Sequence, residues 1–254
     1  MLVSKDAGIC TVTINRPEKM NSLTAGMLSR LGDIIGSVSE DGETHVVVLR
    51  GAGEKAFSAG HDISSLGAAG DAAEETTTGD LVLAIEECAV PVIAMIHGHA
   101  IGAGCALAVA CDFRLAADTA NLGITAAKLG VIYPPVAVSG LIDLIGVSAA
   151  KELLYTGRLV DSARAAEIKL VDRVVLADKL EVVTYDLAGE IAGNSSLSVR
   201  GAKKIIPKLL DYRAAGLLTE QEYADLQKQV NSGEDLRESK KAFFEKRKPD
   251  FNKK

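Results

Sequence analysis

The apolar and polar positions divide the chain in two: short apolar runs alternate with amphipathic stretches over the first two thirds, and the last third is helical almost throughout. Residues 9–15 are rich in β-branched side chains and end at the turn-forming N-R-P-E of Asn15 to Glu18, which predicts a strand. Thr24 is placed to cap a helix whose Leu28, Leu31, Ile34, Ile35 and Val38 form one apolar stripe. Residues 45–50, HVVVLR, predict a buried strand, and 51–66, GAGEKAFSAGHDISSL, a loop leaving its end, where ligands tend to bind. The small, acidic, threonine-rich stretch 67–79 reads as a mobile lid or pocket rim. A helix over 80–88 is stopped by Pro91, and a strand over 93–96 is apolar on both faces.

After that strand Gly98, Gly102 and Gly104 punctuate the chain, and residues 103–110 are small enough for a helix to pack tightly on a sheet. Residues 112–116 predict a short strand, Gly130 and Pro134-Pro135 carry turn chemistry, and a helix is expected over 136–145. Further on, helices are expected over 151–156, 162–168, 178–193, 197–212, 219–231 and 234–247, with a short strand over 173–176. Strands with helices first and helices alone last imply an α/β core, residues 1–195, with a helical C-terminal region, 196–254. No fixed-period repeat is present, although a strand, strand, helix rhythm recurs.

Composition narrows the function classes. A chain of 254 residues, 48% hydrophobic and 24% charged, suits one compact domain with a substantial core. A formal charge of −6 gives no general attraction to nucleic acid or to anionic lipid. Four cysteines without C-x-x-C spacing point to a reducing cytoplasm, and the start of the chain predicts no signal peptide. The apolar stretch 92–111 is interrupted by His97, His99 and several glycines, which disfavours a membrane span.

Candidate chemistry centres on residues 93–117. A strand, a glycine turn and a helix leave free N–H groups at the helix start, where the peptide dipoles favour negative charge. Two readings stay open at this level, an anion site built from backbone or glycines that only permit close helix packing; neither the full G-x-G-x-x-G nor the end of a P-loop is present. His97, His99, Cys105 and Cys111 are poorly aligned for zinc, so no metal is expected. The terminal run Lys240, Lys241, Lys246, Arg247 and Lys248, with Phe243 and Phe244, reads as either a solvated helix end or a local basic patch.

Taken together, TINRPEKMNSL, KAFSAGHDI, IGAGCALAVACDFRLA, LGVIYPP, YTGRLVDSARAAEIKLVDRVV and AFFEKRKPDF resemble the crotonase, or enoyl-CoA hydratase/isomerase, family over nearly the whole chain. The resemblance implies a spiral of ββα units with a helical C-terminal trimerisation region, assembling as trimers or as hexamers made of two trimers. It implies an acyl-CoA thioester as substrate, no permanently bound cofactor, and an enolate stabilised by two backbone N–H groups. On the matching positions these belong to His61, after Ala59-Gly60, and to Ala103, after Gly102. The resemblance also implies that Ala59, Gly60, Asp62, Ile63 and Gly102 line the substrate beside these donors, with Asp62 expected chiefly to serve the fold.

The family's hydratases place glutamates where this chain has Ala106 and Ala126, so the usual hydration is not expected. His61, Thr125 and Tyr133 occur at the spacings of the methylmalonyl-CoA decarboxylase branch, although that branch keeps the glutamate missing at 106. The resemblance therefore favours decarboxylation, with Tyr133 and Thr125 orienting the substrate. The alternatives are a hydratase or isomerase with another base, and a non-catalytic acyl-CoA-binding protein. Lys19, Met20 and Lys55, with Phe243 and Lys246, match positions that hold the coenzyme A handle.

Overall fold

The structure, a computed structural model, describes residues 1–62, 77–210 and 233–249, together with Gln221, Ala224, Asp225 and Lys228. Ile63, most of the expected lid and most of the helix expected over 219–231 lie outside the described residues.

A six-stranded sheet forms the centre, in the order β1 (Leu2–Asp6), β2 (Ile9–Ile14), β3 (Val46–Gly51), β5 (Val92–Ile96), β7 (Phe113–Ala117) and β10 (Arg173–Val175). From β2 to β10 the pairing is parallel, and β1 joins β2 antiparallel through Ala7-Gly8, both at positive φ. Alternate residues of β3 and β5 enter different cores, because a parallel sheet is covered on both faces. Val47, Leu49, Val92, Ala94 and Ile96 pack in the larger core with the helices α1 (Ala25–Glu40), α2 (Thr78–Glu86) and α3 (Ala103–Ala110). Val46, Val48, Ile93 and Met95 face the other way, onto Leu180, Leu187 and Ala188 of α7 (Leu180–Ala192). The stripe expected on α1 is the set of residues it buries, and Thr24 accepts a hydrogen bond from the Met27 N–H as its cap.

A second sheet, in the order β4 (Ala56–Ser58), β6 (His99–Ile101), β8 (Asn121–Gly123) and β9 (Leu159–Asp161), is absent from the sequence reading. Each of its strands has three residues, too few to display a period, and β4 lies inside the expected loop 51–66. β1 also escaped that reading, because all five of its residues are exposed and no burial pattern marks it. Chain order supplies the recurring rhythm: β3, β5 and β7 of the large sheet are each followed by β4, β6 and β8 of the small one. This α/β architecture, with two mixed sheets and flanking helices, is the expected fold class.

After β8 come α4 (Ala126–Leu129) and α5 (Pro135–Thr156). The helices expected over 136–145 and 151–156 join into α5, with a break at Gly146, φ +75°. Beyond β9 lie α6 (Ser162–Glu167), β10 and α7, and then α8 (Ser196–Leu210), so the expected boundary at 195/196 falls in the link between α7 and α8. Lys203 ties α8 to the core through Asp112, 2.7 Å away, and the Val90 carbonyl. The last helix, α9 (Glu234–Phe244), packs against α4. Among the described residues no helix is long and apolar enough to cross a membrane.

Candidate active site

β4 and β6 are parallel neighbours, with Ala56 opposite His99 and Ser58 opposite Ala100, so the turns that follow them leave one sheet end side by side. The first carries Ala59, Gly60 and His61, and the second Gly102 and Ala103. Gly60 sits at φ +88°, and a Cβ there would fall 2.7 Å from the Ile101 carbonyl oxygen and 3.2 Å from the Ala103 nitrogen. Only glycine lets the two backbones meet this closely. Gly102, at φ +56° and ψ −123°, takes the sharp turn into α3. Ala103 is not among the residues at positive φ, so alanine stands there without backbone strain.

Both turns aim an N–H group by holding the other end of the same peptide. No peptide bond among the described residues is cis, so each carbonyl and the following N–H point in opposite directions. Gly60 O accepts from the Leu23 N–H at 2.7 Å, and Leu23 O accepts from the Asp62 N–H at 2.9 Å. The His61 N–H therefore points away from Leu23, and it has no backbone partner among the described residues. Gly102 O accepts from the Ala106 N–H at 3.0 Å and from the Tyr133 hydroxyl. The Ala103 N–H opens α3, where an amide has no partner within the helix.

A polar hub behind the first turn fixes its course. Asn21 is buried at φ +55°, a conformation asparagine tolerates better than most residues. Its amide donates to Ala52 O at 2.9 Å and to Ala56 O at 2.7 Å, and its carbonyl accepts from the Arg16 N–H at 3.0 Å. Ser58 Oγ donates to Asn21 O at 2.9 Å and accepts from the Gly60 N–H at 3.2 Å. Asp62 pairs with Arg16 at 2.7 Å, which secures the far side of the loop. Arg16, Asn21, Ser58 and Thr78 were not singled out from the sequence. The available signal was that R-P-E-K-M-N-S-L holds polar residues where a plain turn needs none.

Two helix starts approach these turns. His61 Nε2 lies 2.5 Å from Thr78 Oγ1, at the first turn of α2, where Thr77 and Asp80 form a reciprocal cap. A Cβ at Gly79 would lie 3.4 Å from Pro134 Cβ, so α2 closes on the start of α5. Tyr133, the residue before Pro134, reaches back to the Gly102 carbonyl. The Gly102 N–H donates to Gly123 O at 2.9 Å, which sets the end of β8, and two residues later Thr125, beside the second turn. The Thr125 side chain makes no cap hydrogen bond at the start of α4. Ala106 and Ala126 are both buried.

Burial lowers the pKa of His61 from 6.5, so its imidazole is neutral near pH 7. Burial pushes the Tyr133 hydroxyl well above 10, so it keeps its proton. Cys105 and Cys111 are both pushed up to about 12 by burial and remain thiols. His97 Nε2 and His99 Nδ1 are buried without hydrogen-bond partners, and no group of three metal-binding side chains occurs among the described residues.

Met20 and Lys55 share a separate cleft of about 250 Å³, with Pro17, Asn21 and Gly53 also on its walls. Lys19 neighbours this cleft in sequence but does not line it. Phe243 and Lys246 do not line it either: Phe243 is half-exposed at the end of α9, its ring edge-to-face with Phe244 at 5.6 Å.

The family model for enoyl-CoA hydratase/isomerase matches residues 4–254. The chain belongs to the enoyl-CoA hydratase/isomerase family. Within it, YngF of Bacillus subtilis (strain 168) is 38% identical over 250 residues, covering 96% of this chain and 94% of that protein. The short-chain-enoyl-CoA hydratase of Clostridium acetobutylicum is 31% identical over 260 residues, covering 98% and 95%. Among solved structures, methylmalonyl-CoA decarboxylase in complex with 2-nitronate-propionyl-CoA superposes with a TM-score of 0.87 at 26% identity, covering 98% and 97%. The protein is thus an enzyme of the enoyl-CoA hydratase/isomerase family, acting on acyl-CoA.

Proposed function

We propose that the enzyme decarboxylates a malonyl-type acyl-CoA by holding the thioester oxygen between the N–H groups of His61 and Ala103. One observation carries the reading: Gly60 packs against the Ala103 amide, while the carbonyls of both donor peptides are bonded on their far sides. As the bond from the second carbon to the carboxylate breaks, carbon dioxide leaves and its electron pair becomes the enolate. The two amides stabilise the resulting charge by about 3 kcal/mol each. A proton from solvent then closes the reaction at the second carbon, so no protein base is consumed. Buried alanines at 106 and 126 suit this step, because neither brings a carboxylate to activate water. The free Thr125 hydroxyl, with Tyr133 on the pocket wall, holds the substrate carboxylate out of the thioester plane.

The coenzyme A handle is assigned to Met20, Lys55 and the neighbouring Lys19, with Phe243 and Lys246 contributed from a C-terminal region. Leu197, Ile205 and Ile206 of α8 are exposed, which supports assembly of that region into a trimer or a hexamer. Four buried, unpaired cysteines suit a cytoplasmic setting.

A hydratase or isomerase reading is favoured by one feature, the neutral imidazole of His61, which is able to accept a proton. Incubation with methylmalonyl-CoA, ethylmalonyl-CoA and crotonyl-CoA, followed by mass, separates the readings. Loss of carbon dioxide from a malonyl-type thioester is the expected result. Hydration of crotonyl-CoA alone favours the imidazole, and tight coenzyme A binding without turnover of any of the three leaves a binding protein.

A further inference from the structure

The Tyr133 hydroxyl has a single hydrogen, and the structure directs it to the Gly102 carbonyl. The peptide that Tyr133 holds is the one whose other end is the Ala103 N–H. The two donor peptides are held in different ways. Gly60 O is bonded by a main-chain amide, that of Leu23, whereas Gly102 O receives a side-chain hydroxyl in addition to its helical bond from Ala106.

We infer that Tyr133 is a positioning residue that acts through the Gly102–Ala103 peptide: its hydroxyl fixes the plane of that peptide and polarises it, so that the Ala103 N–H is a stronger and better aimed donor. Two physical effects combine. Holding the carbonyl restrains rotation of the peptide plane, and a donor on the carbonyl strengthens the N–H of the same amide as a donor, as in any hydrogen-bonded chain. The inference rests on the reading that Ala103 faces a thioester oxygen, and it assigns orientation of the substrate carboxylate to Thr125 rather than to Tyr133.

A ligand without a carboxylate separates the two roles. Propionyl-CoA labelled with carbon-13 at the carbonyl is bound to the wild type and to Tyr133→Phe, and the carbonyl stretch is read by infrared difference spectroscopy. In the wild type the band moves to lower wavenumber than in free propionyl-CoA. In Tyr133→Phe it returns at least about halfway, affinity stays within about threefold, and kcat for the decarboxylated substrate falls about 10- to 100-fold with KM nearly unchanged.

A wild-type band that does not move removes the thioester-oxygen reading itself. A wild-type shift retained in full by Tyr133→Phe leaves that reading intact and overturns this one, since a residue acting on the carboxylate has no reason to alter propionyl-CoA. If Tyr133→Phe does not fold, wild-type protein grown with 3-fluorotyrosine, a stronger hydroxyl donor, decides the point. Its band moves further down if Tyr133 acts through the peptide, and an unchanged band overturns the inference.

Discussion

Arg16 Nη1 lies 2.7 Å from Asp62 Oδ2, joining the turn after the second strand to the residue beside His61. Arg16 also donates to Ser22 Oγ at 3.1 Å, so one guanidinium holds both the Asn21 hub and the first donor turn. Both side chains are mostly buried, with 24% and 17% exposed, and the pair is therefore worth more than one on the open surface. Arg16→Ala is expected to cost about 1–3 kcal/mol of stability and to lower kcat more than it raises KM, because the His61 loop loses an anchor. Thermal melts and steady-state kinetics, with Asp62→Ala and the double variant closing the cycle, check this; fully additive effects would rule out the coupling.

Substitutions at the two glycines of the donor turns should differ in kind. At Gly60 an added Cβ meets the Ile101 carbonyl and the Ala103 nitrogen, so Gly60→Ala has to push the two turns apart. At Gly102 the nearest non-neighbouring atom is Gly60 Cα at 4.0 Å, and the cost there is backbone strain. Gly60→Ala is expected to lower kcat about 100-fold or more. Gly102→Ala is expected to show its effect chiefly in stability, a loss of about 1–3 kcal/mol read from thermal melts. Equal kcat values for the two variants would contradict the assigned geometry.

Stability should fall with acid through two histidines. Burial lowers the pKa of His61 from 6.5, and burial followed by Arg50 lowers that of His97 from the same value. A depressed folded pKa means that the unfolded chain takes up the proton first, so stability is complete above about pH 6.5 and declines as pH falls below it. Each group sets a slope of at most about 1.4 kcal/mol per pH unit. Urea midpoints measured between about pH 7.5 and pH 5.5 should fall, and His61→Gln and His97→Gln should each flatten the profile. An unchanged profile in both variants would show that other groups carry the dependence.

Lys203 links α8 to the core. Its ammonium, on a side chain only 7% exposed, sits 2.7 Å from Asp112 Oδ2 and 3.0 Å from Val90 O. Asp112 also accepts from the Val92 N–H at 2.7 Å, at the start of the central β5 strand. Lys203→Met strands that carboxylate and is expected to cost about 2–4 kcal/mol, or about 5–15 °C in melting temperature. Asp112→Asn with Lys203→Met should recover part of the loss, which calorimetry of the single and double variants would measure.

Much of the large sheet and its helices was legible in the sequence because burial there leaves either a stripe or an unbroken apolar run. α1 carries the stripe, whereas the two-faced strands β3 and β5 and the small-residue helix α3 are buried nearly throughout and read as continuous apolar or small-residue runs. The small sheet was not legible, since its three-residue strands carry no period and are held by their neighbours. The site divided along the same line. Glycines at 60 and 102 were visible as punctuation, whereas Asn21, Ser58 and Thr78 are ordinary polar residues whose bonds to Ala56, Asn21 and His61 span 35, 37 and 17 positions of the chain.

The sequence by itself determined the long helices and the buried strands of the large sheet, the family they belong to, and the absence of carboxylates at 106 and 126, because those properties reside in residue identity and local spacing. Only the tertiary structure decided that the turns after β4 and β6 meet at Gly60 and Ala103, that Asp62 is bound to Arg16, and that the Tyr133 hydroxyl is spent on Gly102. Those outcomes depend on parallel pairing of strands some forty residues apart and on where a trans peptide points once its carbonyl is taken. Directions of that kind arise only when distant segments are packed against each other.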